Sequence, residues 1–138
     1  FYMKGIRDMR NLMADEIEIA FDLRFVPQIR DTGRKIHTIR RDEENRLMPG
    51  VKIALSCDGL HLVFDEKVIT AVQHIIIHVH ILQYVKYLQV FVDGRKLEYR
   101  EIVELAKNDG FDDVNDFISF FGLGRYEGKL IHWTDKRY

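Results

Sequence analysis

Apolar and polar positions alternate from the first strongly patterned stretch of the chain. Ile17, Ile19, Phe21, Leu23 and Phe25 fall on one parity, and Glu16, Glu18, Asp22 and Arg24 on the other. A period of two predicts a strand with one buried face. Phe21, Phe25 and Ile29 also lie at helical spacing, so a strand to about Phe21 followed by a short helix satisfies both patterns. Pro27 would then sit in the first helical turn, where its missing N–H is harmless. Gly33, after Thr32, reads as the helix stop. Residues 36–41 return to an extended pattern. Pro49-Gly50 marks a turn before a strand over Val51–Leu55, and Asp58-Gly59 predicts a hairpin into residues 61–64.

Residues 68–83 read as one long β-rich run, with Ile75, Ile77, Val79 and Ile81 on one parity. Leu88–Val92 and Lys96–Tyr99 flank Asp93-Gly94, a second hairpin signal. The period then changes. Ile102, Leu105 and Ala106 recur at helical spacing and stop near Asn108-Asp109-Gly110. Val114, Phe117, Ile118 and Phe121 mark another helix, with Asp112 or Asp113 near its start. Leu130, Ile131, His132 and Trp133 suggest a closing strand. Strands, a short early helix, two late helices and a final strand predict an α+β fold, a mixed β pseudo-barrel. Met3, Ile6, Met9 and Met13 lie at helical spacing, so residues 1–15 read as an N-terminal extension before a domain at 16–138.

Composition narrows this picture. The 138 residues suit a single domain, and 46% hydrophobic with 31% charged residues argues against disorder. The formal net charge is -1, so any affinity for a polyanion must come from a local patch. One cysteine, Cys57, excludes an internal disulfide and a multi-cysteine zinc site. It reads as a small residue in or beside a strand, and this usage fits a cytoplasmic protein. No apolar run reaches the ~20 residues that a membrane helix needs, so no membrane partner is expected. No residue pattern calls for a cofactor.

The local patch is at residues 30–41. Arg30, Arg34, Lys35, Arg40 and Arg41 stand there against Asp31 alone. A basic loop beside a glycine and a hydroxyl side chain has what phosphate binding needs: guanidinium forks, an ammonium and a hydroxyl. The alternative is a solvated loop whose charges pair with Asp42, Glu43 and Glu44. Lys35 and Thr38 are three apart, so in one regular strand they would point to opposite faces. They converge only if the chain bends, and Gly33 with the helix end supplies a bend.

Phe25-Val26-Pro27-Gln28-Ile29, then Gly33-x-Lys35-x-x-Thr38-Ile39-Arg40, then Pro49-Gly50 before a strand, resembles the ASCH domain family of the PUA-like superfamily. The likeness continues through Asn108-Asp109-Gly110-Phe111, Phe117 and Phe120 to Gly128-Lys129-Leu130-Ile131-His132-Trp133, over roughly residues 16–134. It implies a PUA-like barrel whose cleft takes RNA or a small modified nucleoside. Gly33, Arg34, Arg40 and Arg41 would bind the ligand. Some small members of that family are amidohydrolases that deacetylate acetylcytidine with a threonine nucleophile, a lysine base and a glutamate. Lys35 and Thr38 match the first two. Asp109 stands at the glutamate position, one methylene shorter. His37, beside Lys35 and Thr38, also raises RNA cleavage as a reading.

Other features have structural readings. His74, His78 and His80 share a strand parity and predict a polar outer face rather than a metal site, because no carboxylate or cysteine sits at matching spacing. Tyr84, Tyr87, Phe91 and Trp133 are candidates for base stacking, although core packing is the ordinary role of such rings.

Overall fold

The computed structural model of the chain describes residues 7–8, 17–60 and 62–138. The alternating run forms strand β2 (Ile17–Phe21), which follows a two-residue strand β1 (Arg7–Asp8). Its alternation ends at Asp22, whose carboxylate accepts the Arg24 N–H at 3.0 Å and starts a 3-10 turn, Leu23–Phe25. Helix α1 (Val26–Arg30) continues from it with Pro27 in the first turn, so the strand and helix patterns both hold, in succession.

Six strands and two helices follow, and then the last strand. They are β3 (His37–Arg40), β4 (Lys52–Cys57), β5 (Leu62–Val68), β6 (Ala71–Leu82), β7 (Val85–Val92), β8 (Arg95–Lys96), α2 (Tyr99–Asn108), α3 (Val114–Phe121) and β9 (Gly124–His132), with β8 the short sixth strand of the series. The fold is mixed α+β. One sheet has the order β1-β5-β4-β2 and the other β3-β9-β6-β7-β8. The β2–β4 pair is parallel and the remaining pairs are antiparallel. No strand pair joins the two sheets among the described residues, so the expected pseudo-barrel is not closed by hydrogen bonding.

Ile53 and Leu55 of β4, Ile75 and Ile77 of β6, and Leu130 and Ile131 of β9 are fully buried, with Phe21, Phe64, Phe111 and Phe117 filling the space around them. Each such side chain stabilises the fold by roughly 1.5–3 kcal/mol relative to exposure. Cys57 is buried at the end of β4. No helix among the described residues is long and apolar enough to cross a membrane.

Several boundaries differ from the sequence reading. The run at 68–83 is broken after Val68, where β5 ends, and ends in a tight turn at Gln83-Tyr84. The strand expected at Lys96–Tyr99 is confined to Arg95–Lys96, because Glu98 starts α2 and its N–H is taken by the Glu101 carboxylate at 3.0 Å. The closing strand begins at Gly124, well before Leu130. Arg7–Asp8 pair with Leu62–Val63 as strand rather than helix, and Met3, Ile6, Met9 and Met13 lie outside the described residues.

Candidate active site

The basic segment is fixed between the two ends of the α layer. The Lys35 N–H donates to the Gln28 carbonyl in α1 at 3.1 Å, and the Ile36 N–H donates to the Asn108 carbonyl of α2 at 2.9 Å. Beyond that bend β3 runs against β9, with Thr38 opposite Ile131 and Arg40 opposite Lys129. The bend undoes the odd spacing: Lys35, Thr38, Arg40 and Asp109 all line one cavity of about 430 Å³. A cavity of this size suits a small ligand. Gly33, Arg34 and Arg41 do not line it. Arg34 instead donates to the Phe111 carbonyl at 2.5 Å, and the Arg41 guanidinium lies 4.7 Å from the centre of the Tyr126 ring.

Lys35 and Asp109 are 3% and 2% exposed. Lys35 Nζ donates to Asp109 Oδ1 at 2.9 Å and to the Asp109 main-chain oxygen at 2.6 Å. Burial pushes the Lys35 ammonium below the ordinary lysine range, against the pull of the Asp109 charge. For Asp109 burial pushes upward, but Lys35 and His37 outweigh it and hold the carboxyl below the usual carboxylate range. Asp109 is therefore ionised at neutral pH. The Phe25 ring centre is 4.7 Å from Lys35 Nζ, so one wall of the ammonium's site is an aromatic face.

Thr38 has a different partner from the one its chemistry first suggests. Arg40 Nε donates to Thr38 Oγ1 at 3.2 Å, Arg40 Nη2 donates to the Ala20 carbonyl at 2.7 Å, and the guanidinium lies 4.7 Å from the Phe21 ring centre. Burial lowers the Arg40 pKa, with Asp109 opposing. Lys35 is thus bonded to Asp109 and Thr38 to Arg40; Lys35 and Thr38 are not bonded to each other.

Several hydrogen-bonding valences at the cavity stay unused among the described residues. Asp109 takes both Lys35 and His37 on Oδ1, leaving Oδ2. Arg40 retains Nη1, and the Thr38 hydroxyl, already an acceptor, keeps its proton to donate. Phe111, Phe120, Phe121 and Tyr126 form apolar walls, and Asp22 and Asp58 add carboxylates to the lining.

His37 is fully buried and does not line the cavity, so it is out of reach of a ligand there. Its role is behind Asp109. Asn108 Nδ2 donates to the Tyr138 hydroxyl at 2.9 Å, which stands 2.8 Å from His37 Nε2, and His37 Nδ1 stands 3.1 Å from Asp109 Oδ1. Burial lowers the His37 pKa, so the ring is neutral. The only donor order that satisfies every atom runs Asn108 to Tyr138 to His37 to Asp109, with the proton on Nδ1. Nothing in the local sequence signals this chain, because Tyr138 is 101 residues from His37.

The three strand histidines of β6 lie on its outer face as expected: His74 bonds Glu127, and the His80 ring stacks on Tyr87 with centres 5.5 Å apart. Among the described residues no group of three or more histidine, cysteine, aspartate or glutamate side chains is placed to hold a metal ion. Comparison with protein-family models, with curated proteins and with solved structures finds no match.

Proposed function

We propose that the cavity binds one flat, polar ring, a nucleobase or modified nucleoside, splayed out of any stack. The observation that carries this reading is the convergence of unused donors and acceptors from Thr38, Arg40 and Asp109 on a cavity walled by Phe111, Phe120, Phe121 and Tyr126. A base offers a hydrogen-bonding edge and two apolar faces, and this lining matches both. The fold would be PUA-like, the barrel left open between the two sheets, in keeping with the ASCH resemblance of residues 16–134. A panel of free and modified nucleosides, followed by thermal unfolding, tests the reading. A ligand at about a hundred times its Kd raises the unfolding free energy by about 2.7 kcal/mol. Arg40→Met and Asp109→Asn should weaken that shift. A panel in which nothing stabilises the protein refutes the proposal.

A second reading is hydrolysis of an acylated nucleoside such as acetylcytidine, favoured by one observation: burial lowers the pKa of a lysine that shares a cavity with a threonine hydroxyl. Thr38 Oγ1 would attack the acyl carbonyl, with its proton passing to Lys35 once that side chain has released its own. The nucleoside amine would leave with a proton returned from Lys35, and water would release the acid. Mass spectrometry of the same panel separates the readings. Binding without conversion leaves only the first. Conversion that Lys35→Ala and Thr38→Ala abolish to one common floor supports the second, because groups acting as one unit are not additive.

A further inference from the structure

The cavity has two zones. Lys35, Thr38 and Asp109 are buried at its floor, whereas Asp22 and Asp58 are exposed and Phe120 is 60% exposed, which sets these three at its rim. A base whose hydrogen-bonding edge meets the floor carries its sugar at the rim.

Charge at the cavity runs against the basic sequence beside it. The lining holds three carboxylates, Asp22, Asp58 and Asp109, against two cations, Lys35 and Arg40. Neighbouring basic groups are committed elsewhere. Arg24 bonds both carboxylate oxygens of Asp116, Arg34 donates to the Phe111 carbonyl, and Lys35 is taken by Asp109. A phosphate at the rim would face Asp22 and Asp58, with the spare Nη1 of Arg40 to answer it.

Asp58 stands in the turn between β4 and β5. Its N–H donates to the Phe21 carbonyl at 2.8 Å, which ties the turn to the end of β2, and Gly59 makes the reversal with φ of 76°. An aspartate in a turn ordinarily bonds the main chain beside it. The Asp22 carboxylate does so, through the Arg24 N–H. The Asp58 carboxylate makes no hydrogen bond or ion pair among the described residues, so turn chemistry does not account for it. It is directed to the cavity instead, which it lines. Burial lowers the Arg40 pKa, and the Asp58 charge is among those that oppose it, which places the two groups near each other.

We propose that Asp58 accepts the vicinal hydroxyls of a ribose, so that the cavity selects a ribonucleoside that carries no phosphate; the assignment rests on the cavity taking a nucleoside. An ionised carboxylate is acceptor-only, and its two oxygens can take both hydroxyl protons of a cis diol. Such bonds are short and charge-assisted. Acidic side chains meet ribose hydroxyls in the same way in dinucleotide-binding folds. A deoxyribose lacks one donor, a 5′-phosphate brings its charge to an acidic rim, and a nucleotide inside an RNA chain has no free diol. Each is selected against.

Calorimetric titration of the full chain with cytidine, uridine, adenosine, guanosine and acetylcytidine, each beside its 2′-deoxy and 5′-monophosphate forms, tests this. The ribonucleoside should bind at least ~5-fold more tightly than its 2′-deoxy form, the scale of one hydrogen bond to a charged group at an exposed rim. The 5′-monophosphate should bind less well than the nucleoside, and that deficit should shrink as salt is raised. Asp58→Ala should bring the ribose-to-deoxyribose ratio to about one and narrow the phosphate deficit. Asp22→Asn, which keeps the cap on Arg24, should narrow the phosphate deficit and leave the ribose ratio as it was. Nucleosides that bind with no preference for ribose overturn the assignment and leave the nucleoside reading standing. So does an Asp58→Ala variant that keeps the preference, or a 5′-monophosphate that outbinds its nucleoside. Failure of every nucleoside and nucleotide to bind overturns both.

Discussion

Replacing Lys35 with methionine isolates the energetics of the buried pair, because the side chains have similar volume and no cavity is left. The ammonium's bonds to Asp109 Oδ1 at 2.9 Å and to the Asp109 main-chain oxygen at 2.6 Å disappear, and the carboxylate keeps only His37. Removing one partner of a buried pair costs about 3–5 kcal/mol, whereas substitutions at an exposed loop lysine stay within about 0.5 kcal/mol. Position alone therefore predicts the larger figure, although a lysine in a basic loop would suggest the smaller. Urea unfolding at pH 7, extrapolated linearly, measures it. Two further results are required. Asp109→Asn in the Lys35→Met background should recover part of the loss, with a coupling energy above about 1 kcal/mol. The penalty should also shrink in acid. In the wild type the depressed Asp109 pKa contributes stability that is complete above the unfolded carboxylate pKa and is lost as pH falls through the folded value. Without Lys35 the carboxyl protonates at higher pH, and its desolvation cost ends there. A Lys35→Met variant that loses less than about 1 kcal/mol and shows no coupling to Asp109 would refute this account.

Two predictions concern the surroundings of the site. His132 is fully buried, and burial together with the neighbouring His37 pushes its pKa down to about 3. The unfolded chain then takes up a proton first, so stability is complete above ~6.5 and falls as pH drops from there toward 3. By pH 5 the loss is roughly 2 kcal/mol. His132→Leu should flatten the difference between denaturant midpoints at pH 7 and pH 5, and equal slopes in variant and wild type would remove the histidine from the explanation. Gly110 has φ of 94°, and a Cβ there would lie 2.6 Å from Gln28 Oε1 and 2.8 Å from Phe25 Cδ1. Gly110→Ala should therefore cost more than ~2 kcal/mol from backbone strain and overpacking combined, read from a thermal melt; an unchanged melting temperature would show that Phe25 yields freely.

The elements with strong periodicity were legible from the chain alone: β2 through its alternation, α1 through Pro27, α2 and α3 through their apolar stripes. The Gln83-Tyr84 turn was not, because neither residue is a turn former and the apolar pattern runs through it without a break. The start of β9 at Gly124 was hidden by its exposed first half, which has no buried face to impose a pattern. In the site, Lys35, Thr38, Arg40 and Asp109 were nameable before the fold was known, but their pairing was not. The family resemblance put Lys35 and Thr38 together as base and nucleophile, whereas the bend after α1 turns Lys35 toward the end of α2 and leaves Thr38 to the guanidinium two residues on. His37 looked like a reactive group by proximity in sequence. One residue of parity within β3 places it behind Asp109, away from the cavity.

The end of α2 explains why a charged pair survives at this position. A helix C-terminus presents unsatisfied carbonyls and a partial negative charge, which disfavours a carboxylate there. Asp109 is the capping residue of α2, and its carboxylate adds to that charge in a place where water is excluded. Lys35 answers both with one ammonium, which donates to the carboxylate and to the main-chain oxygen of the same residue. An apolar pair of the same volume would stabilise the fold as well or better, so stability alone does not account for these residues. The arrangement does something an apolar pair cannot. It keeps an ionised carboxylate and a lysine of lowered pKa at the wall of a cavity, with the carboxylate oriented from behind by neutral His37. A ligand group that draws Lys35 away from Asp109 must supply a donor in its place, or the end of α2 loses its cap. Ligand chemistry and the stability of α2 are coupled through that one ammonium.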